Sequence, residues 1–231
     1  MDIDMLRRRQ WILLPGTLCN GDIFTGFLDT MGVPEKNRHV IGLGHPHMDD
    51  YVSELDRVET SGAAVCGFSL GAIVAANFAD RLEASAFFLF GLNPFADDPA
   101  KEVGRRDLEY AVRTEGGSNA LSSRLPTIRG SEPLKARALI LKMAEAESLH
   151  ITAQTILALK RPSAMTALAK AKMPIFTLTG TNDSSAPLSL ARAAAQVAPK
   201  GHTCVLQGLG HYALLEDPDL CKSALVAELN Q

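Results

Sequence analysis

The sequence predicts an α/β fold: a doubly wound, mostly parallel sheet of about six strands with a helical cap insertion. Three observations lead there. Short, β-rich apolar runs recur and end at or near glycine. Amphipathic stretches of helical period lie between most of them. The alternation fails only over residues 93–172, where helical spacing persists without a convincing strand.

Each run reads as a strand covered on both faces, because its apolar residues are consecutive rather than alternating. Residues 10–14 contain Trp11-Ile12-Leu13-Leu14, stopped by Pro15-Gly16. The remaining strands are expected at 39–43, 63–68, 85–90, 174–179 and 202–206, and helices at 23–31, 51–58, 70–82, 188–197 and 218–229. In the insertion, Leu134, Leu141, Leu149, Ile156 and Leu159 recur at helical intervals, with breaks near Pro126, Gly130 and Pro162. At 231 residues the chain suits one domain. The expected division is a core of 1–92 and 173–231, with 93–172 inserted as a helical cap sharing that core.

Composition narrows the functional classes. With 46% apolar and 21% charged residues, the chain can bury a large core and is not disordered. Its apolar runs fall short of the roughly 20 residues that cross a bilayer, and Pro15-Gly16 cuts the stretch after Arg7-Arg8-Arg9 too early for a signal sequence. A cytoplasmic protein without a membrane partner is expected. Cys19, Cys66, Cys204 and Cys221 are scattered, with no Cys-x-x-Cys, and read as buried reduced thiols. His45-Pro46-His47-Met48-Asp49 opens like a metal motif, but Asp50 stands where a third histidine is needed. No metal or cofactor is expected. The net charge of −3 and the lack of aromatics interleaved with basic residues argue against nucleic acid.

The sharpest feature is Gly67-Phe68-Ser69-Leu70-Gly71, where a predicted strand meets a predicted helix. A tight strand-to-helix turn strains its central residue and projects the hydroxyl outward, while flanking glycines prevent backbone clashes. The helix opening at Leu70 aims its N–H groups at charge developing on a substrate oxygen. A serine hydroxyl needs a base, and that base needs an orienting acid. Asp183 follows the strand at 174–179, and His211 follows the last strand, giving the chain order expected for this turn. Asp217 and Asp219 lie beyond the histidine. The candidates are therefore Ser69, Asp183 and His211.

With these residues in place, the sequence resembles the α/β-hydrolase superfamily over nearly its whole length. Leu13-Leu14-Pro15-Gly16-Thr17 is similar to that family's oxyanion segment, which implies backbone N–H donors at Thr17 and Leu70. Gly180 to Asp183 resembles the acid turn, and Gly210-His211 with Glu216-Asp217-Pro218 the histidine loop. The insertion ending with Gln154, Arg161 and Pro162 resembles small capped carboxylesterases of the pimeloyl-acyl-carrier-protein methyl ester esterase type, which serve biotin biosynthesis. Pro15 departs from the histidine common in the family, the usual N-terminal strand pair has no room, and the short segment 42–61 implies a trimmed helix.

This reading expects a serine esterase acting on a small-molecule ester through an acyl-enzyme. Leu18, Phe68, Leu92, Phe95 and Leu141 are the expected pocket walls, suited to an aliphatic acyl chain. Within the insertion, residues 101–172 hold thirteen basic against seven acidic residues. Arg105, Arg106, Arg113, Arg124 and Arg129 are either solvated helix faces or a docking surface for an acyl carrier protein. A thioesterase, a carbon–carbon hydrolase or lyase, and a non-catalytic ligand-binding protein remain alternatives on this fold.

Overall fold

The computed structural model describes residues 2–230. In chain order its elements are α1 (Ile3–Arg8), β1 (Trp11–Leu14), α2 (Asp22–Met31), β2 (Arg38–Val40), α3 (Asp50–Asp56), β3 (Ala64–Phe68), α4 (Leu70–Asn77) and β4 (Ala86–Phe90). There follow α5 (Glu102–Glu115), α6 (Gly117–Ser122), α7 (Pro133–Ala146), α8 (Ile151–Lys160) and α9 (Met165–Lys170). The chain closes with β5 (Ile175–Gly180), α10 (Leu188–Val197), β6 (Gly201–Leu206), α11 (Ala213–Glu216) and α12 (Pro218–Leu229). The strands form one six-stranded sheet in the order β2-β1-β3-β4-β5-β6, and every pairing is parallel.

Consecutive apolar residues serve both faces of this sheet because side chains alternate along a strand. Trp11, Leu13, Cys66, Phe68, Phe88, Phe90, Phe176 and Leu178 join one buried cluster, with Ile23, Phe27 and Leu225 from α2 and α12. Ile12, Leu14, Val65, Phe87, Leu89 and Ile175 join the other, with Leu55, Val74 and Ala194 from α3, α4 and α10. Phe88 lies at the centre of the first cluster, stacked on Trp11 at 5.1 Å and on Phe176 at 5.4 Å between ring centroids.

Strand order reverses between β1 and β3. Such a switch point opens a crevice at the carboxyl ends of the strands, where open α/β sheets place their ligand sites. The segment after β1 and Ser69 after β3 therefore meet at one edge. Between β4 and β5 the described residues form helices and no strand.

Three local details differ from the sequence reading. Helix α1 was not expected; the Asp2 side chain caps it by accepting Met5 N–H at 2.8 Å, and the Trp11 indole donates to the Leu6 carbonyl at 2.9 Å. Helix α4 ends at Asn77 rather than near residue 82. Ala79 N–H and Arg81 N–H reach back only three residues, to Ala76 and Phe78, so tight turns replace the last helical turn. Helix α3 stops at Asp56 for a similar reason, with Val58 N–H donating to the Leu55 carbonyl at 3.2 Å.

Truncating Phe88 to alanine leaves a cavity between two aromatic partners, which costs about 3–5 kcal/mol in cores of this kind. Thermal denaturation of Phe88→Ala should show a melting temperature lower by roughly 6–20 °C. A shift below about 2 °C would mean that this stack does not anchor the core.

Candidate active site

The turn after β3 is shaped by two close approaches. A Cβ on Gly71 would lie 2.0 Å from the Leu14 carbonyl oxygen and 2.3 Å from that of Pro15. A Cβ on Gly67 would lie 2.5 Å from Ala72 Cα. Helix α4 can therefore start immediately after the strand and press against the segment following β1. Ser69 between them adopts φ 51° and ψ −115°, a conformation that L-residues seldom take.

That backbone carries the hydroxyl to the histidine loop. Ser69 Oγ is 3.1 Å from His211 Nε2, and His211 Nδ1 is 2.8 Å from Asp183 Oδ2. The other Asp183 oxygen accepts the N–H groups of Ser185 and Ala186, each at 2.8 Å. Asp183 is buried, so these three donors compensate a charge removed from water. An ionised carboxylate only accepts, which assigns the proton to Nδ1 and leaves the Nε2 lone pair facing the serine hydroxyl. Gly91, at φ 58°, supports the imidazole from behind, since a Cβ there would approach His211 Cε1 to 2.9 Å. The Phe68 ring packs at 5.1 Å from that of His211.

Among the described residues, no acceptor takes the N–H of Thr17 or Leu70, and both residues line the cleft at Ser69. The next N–H, that of Leu18, is already committed: it donates at 2.9 Å to Oε1 of Gln154, 136 residues away on α8. Leu18 itself has φ 56°. Gln154 thus holds the segment after β1 from the helical side, a contact that sequence spacing could not reveal.

The cleft has a volume of about 450 Å³ and includes Ile73, Asn93, Leu108, Ala158 and Ser185 besides Ser69, His211 and three cations. None of the five expected pocket walls lines it. Leu18 and Leu92 point into the core, Phe68 supports the histidine, Leu141 packs against core residues and Phe95 is exposed. Leu18, at φ 56°, packs in the core rather than in the cleft.

The five arginines do not form one free surface. Arg105 faces the cleft and makes a two-pronged contact with Asp97 at 2.7 and 2.8 Å. Arg106 pairs with Glu109 and Glu102, and Arg124 donates to the Ala120 carbonyl. Arg113 is exposed, and Arg129 borders a smaller cavity of about 270 Å³ that meets His211. The four cysteines are buried, and burial pushes the Cys19 thiol up to about 12, far from thiolate chemistry. His45 packs edge-on against Tyr51. No helix among the described residues is long and apolar enough to cross a membrane.

A family model for the alpha/beta hydrolase family matches residues 13–224. The chain belongs to that family. Among solved structures, a thermophilic esterase from Thermogutta terrifontis is 19% identical at a TM-score of 0.79, covering 96% of this chain and 89% of that one. MenH from S. aureus is 20% identical at 0.78, covering 96% and 93%. The enol-lactonase from Burkholderia xenovorans LB400 is 20% identical at 0.73, covering 97% and 92%. No curated protein matches the sequence. These likenesses establish the hydrolase fold and leave the substrate to be argued from the site.

Glu216, which sequence reading placed in the histidine loop, is buried, and its Oε2 accepts Gly210 N–H at 2.5 Å. Burial raises its carboxyl above the ordinary value, against the Gly210 hydrogen bond and the Arg129 charge. A carboxyl raised on folding contributes stability below its unfolded value and loses it as pH climbs through the folded one. Glu216→Gln keeps an oxygen for Gly210 and removes the charge. Its melting temperature should exceed that of wild type near neutral pH, with the gain shrinking toward about pH 4. A difference constant with pH would contradict a buried, titrating Glu216.

Proposed function

We propose that the protein is a serine esterase that cleaves carboxylic esters through an acyl-enzyme. The observation that carries this reading is the continuous contact from Asp183 through His211 to Ser69, set on a strained turn at the sheet's switch point. Ser69 Oγ attacks the ester carbonyl carbon as its proton passes to His211 Nε2, and Asp183 stabilises the imidazolium. The N–H groups of Thr17 and Leu70 hold the tetrahedral oxyanion, each such donor contributing about 3 kcal/mol in enzymes of this type. Collapse breaks the carbon–oxygen bond and His211 returns the proton to the departing alcohol. Water, deprotonated by His211, then attacks the acyl-enzyme, releasing the acid and restoring the serine.

The substrate in this proposal is a small-molecule ester. Arg105, Arg106 and Arg124 are engaged within their own chain, which weakens the case for a carrier-protein docking face.

Two measurements test the reading. A fluorophosphonate should label folded wild type at Ser69, and Ser69→Ala should lose both labelling and at least about 10³-fold in kcat on p-nitrophenyl esters. Turnover surviving in Ser69→Ala would refute the nucleophile. Gln154 is proposed as a positioning residue for the Thr17 amide. Gln154→Leu should lower kcat about tenfold and slow fluorophosphonate labelling while KM changes little, as expected where only a transition-state contact is disturbed. A rise in KM at constant kcat would contradict that role.

A further inference from the structure

Three cations line the cleft that holds Ser69 and His211, namely Lys101, Arg105 and Arg161, and among the described residues no carboxylate lines it. The two guanidiniums share one counterion. Asp97 Oδ1 receives Arg161 Nη1 at 2.6 Å and Arg105 Nη2 at 2.7 Å, while Oδ2 receives Arg105 Nε at 2.8 Å. Arg161 and Asp97 are shielded from water, with side chains 2% and 3% exposed, while Arg105 is 29% exposed. One negative charge between two positive ones leaves an excess cation in a sheltered wall, and Lys101 adds another at its exposed edge. A buried charge without compensation is costly, so such an excess fits a ligand that supplies the missing anion.

The wall is also held ready. Arg161 Nη1 donates to the Ala158 carbonyl at 2.8 Å and Nε to that of Phe95 at 3.3 Å. Those bonds and Asp97 fix the guanidinium plane. Arg161 Nη2 and Arg105 Nη1 have no partner among the described residues. A planar, fixed donor group suits carboxylate or phosphate oxygens, and its order costs little more on binding.

We propose that the cleft selects esters carrying a second, anionic group, a carboxylate or phosphate-type oxyanion, which Arg161, Arg105 and Lys101 bind while Ser69 addresses the ester carbonyl. This rests on the esterase reading and names the substrate class within it. It also departs from the purely aliphatic acyl pocket expected from the sequence.

The test compares three methyl esters of matched length: monomethyl glutarate, its neutral carboxamide counterpart methyl 5-amino-5-oxopentanoate, and methyl 4-phosphonobutanoate. In wild type, kcat/KM for at least one charged ester should exceed that of the carboxamide by about tenfold or more, a difference of about 1.4 kcal/mol. The better of the two identifies carboxylate or phosphate as the natural anion. In Arg161→Met, and in Arg105→Gln and Lys101→Met should the first fail to fold, the ratio of charged to neutral ester should fall toward one. A wild-type ratio near one, or a ratio that these variants leave unchanged, overturns the proposal. Calorimetry of glutarate, phosphonobutanoate and glutaramide binding to Ser69→Ala separates the two readings. Binding of an anion but not the diamide, weakened by Arg105→Gln, supports the anion site even if no ester is turned over. Equal or absent binding of all three overturns it even where ester hydrolysis persists.

Discussion

The backbone of Ser69 is the constraint from which the site follows. A residue held at φ 51° with a side chain is strained by about 1–3 kcal/mol, and such strain persists only where surrounding structure over-determines it. Here the determinants are two contacts too close for any Cβ, Gly71 against the Leu14 and Pro15 carbonyls and Gly67 against Ala72. They lock the end of β3, the start of α4 and the segment after β1 into one unit. Because the strand order reverses between β1 and β3, that unit stands at the crevice edge, where Thr17 and Leu70 line the same cleft as Ser69. The sheet's registers then bring the loops after β5 and β6 to the same edge, where Thr181 N–H donates to the Leu206 carbonyl and Asn182 N–H to that of Leu209.

The helical segment between β4 and β5 completes this edge. Gln154 reaches across to the Leu18 amide, and Arg161 ties the end of α8 to Asp97 and to the Phe95 carbonyl. Both side chains are buried: Gln154 Oε1 and three bonds from Arg161 find partners after β1, after β4 and on α8, while Gln154 Nε2 has no partner among the described residues. The same helices therefore hold the proposed oxyanion segment and supply the charged wall of the cleft. Positioning and selectivity depend on one set of contacts, so a change in helix packing would be felt in both.

Much of this was legible in the sequence, for identifiable reasons. β3 and β4 are buried along their whole length, so their apolar runs are continuous and their positions read within a residue. The meeting of Ser69, Asp183 and His211 at one edge could be anticipated because the proposed chemistry demands particular residue types at particular strand ends in a fixed order. Helix α1 was not, since six residues form no stable helix alone and its stability comes from Leu6 and the Trp11 indole. Gln154 required a contact between distant positions. The pocket walls were misplaced because apolar residues were sought. Leu92 and Leu18 are core, while Arg105, expected on a solvated face or a docking surface, and Arg161 both contact Asp97.

The central claim is spatial: one hydroxyl, one imidazole and two amides address the same carbonyl. A crystal structure of the protein inactivated by a p-nitrophenyl alkylphosphonate tests it most directly. The account predicts a phosphorus–oxygen bond to Ser69 Oγ, with the phosphonyl oxygen about 2.7–3.1 Å from the Thr17 and Leu70 nitrogens and His211 Nε2 beside the leaving-group position. An adduct on another residue, or a phosphonyl oxygen directed away from both amides, would contradict it.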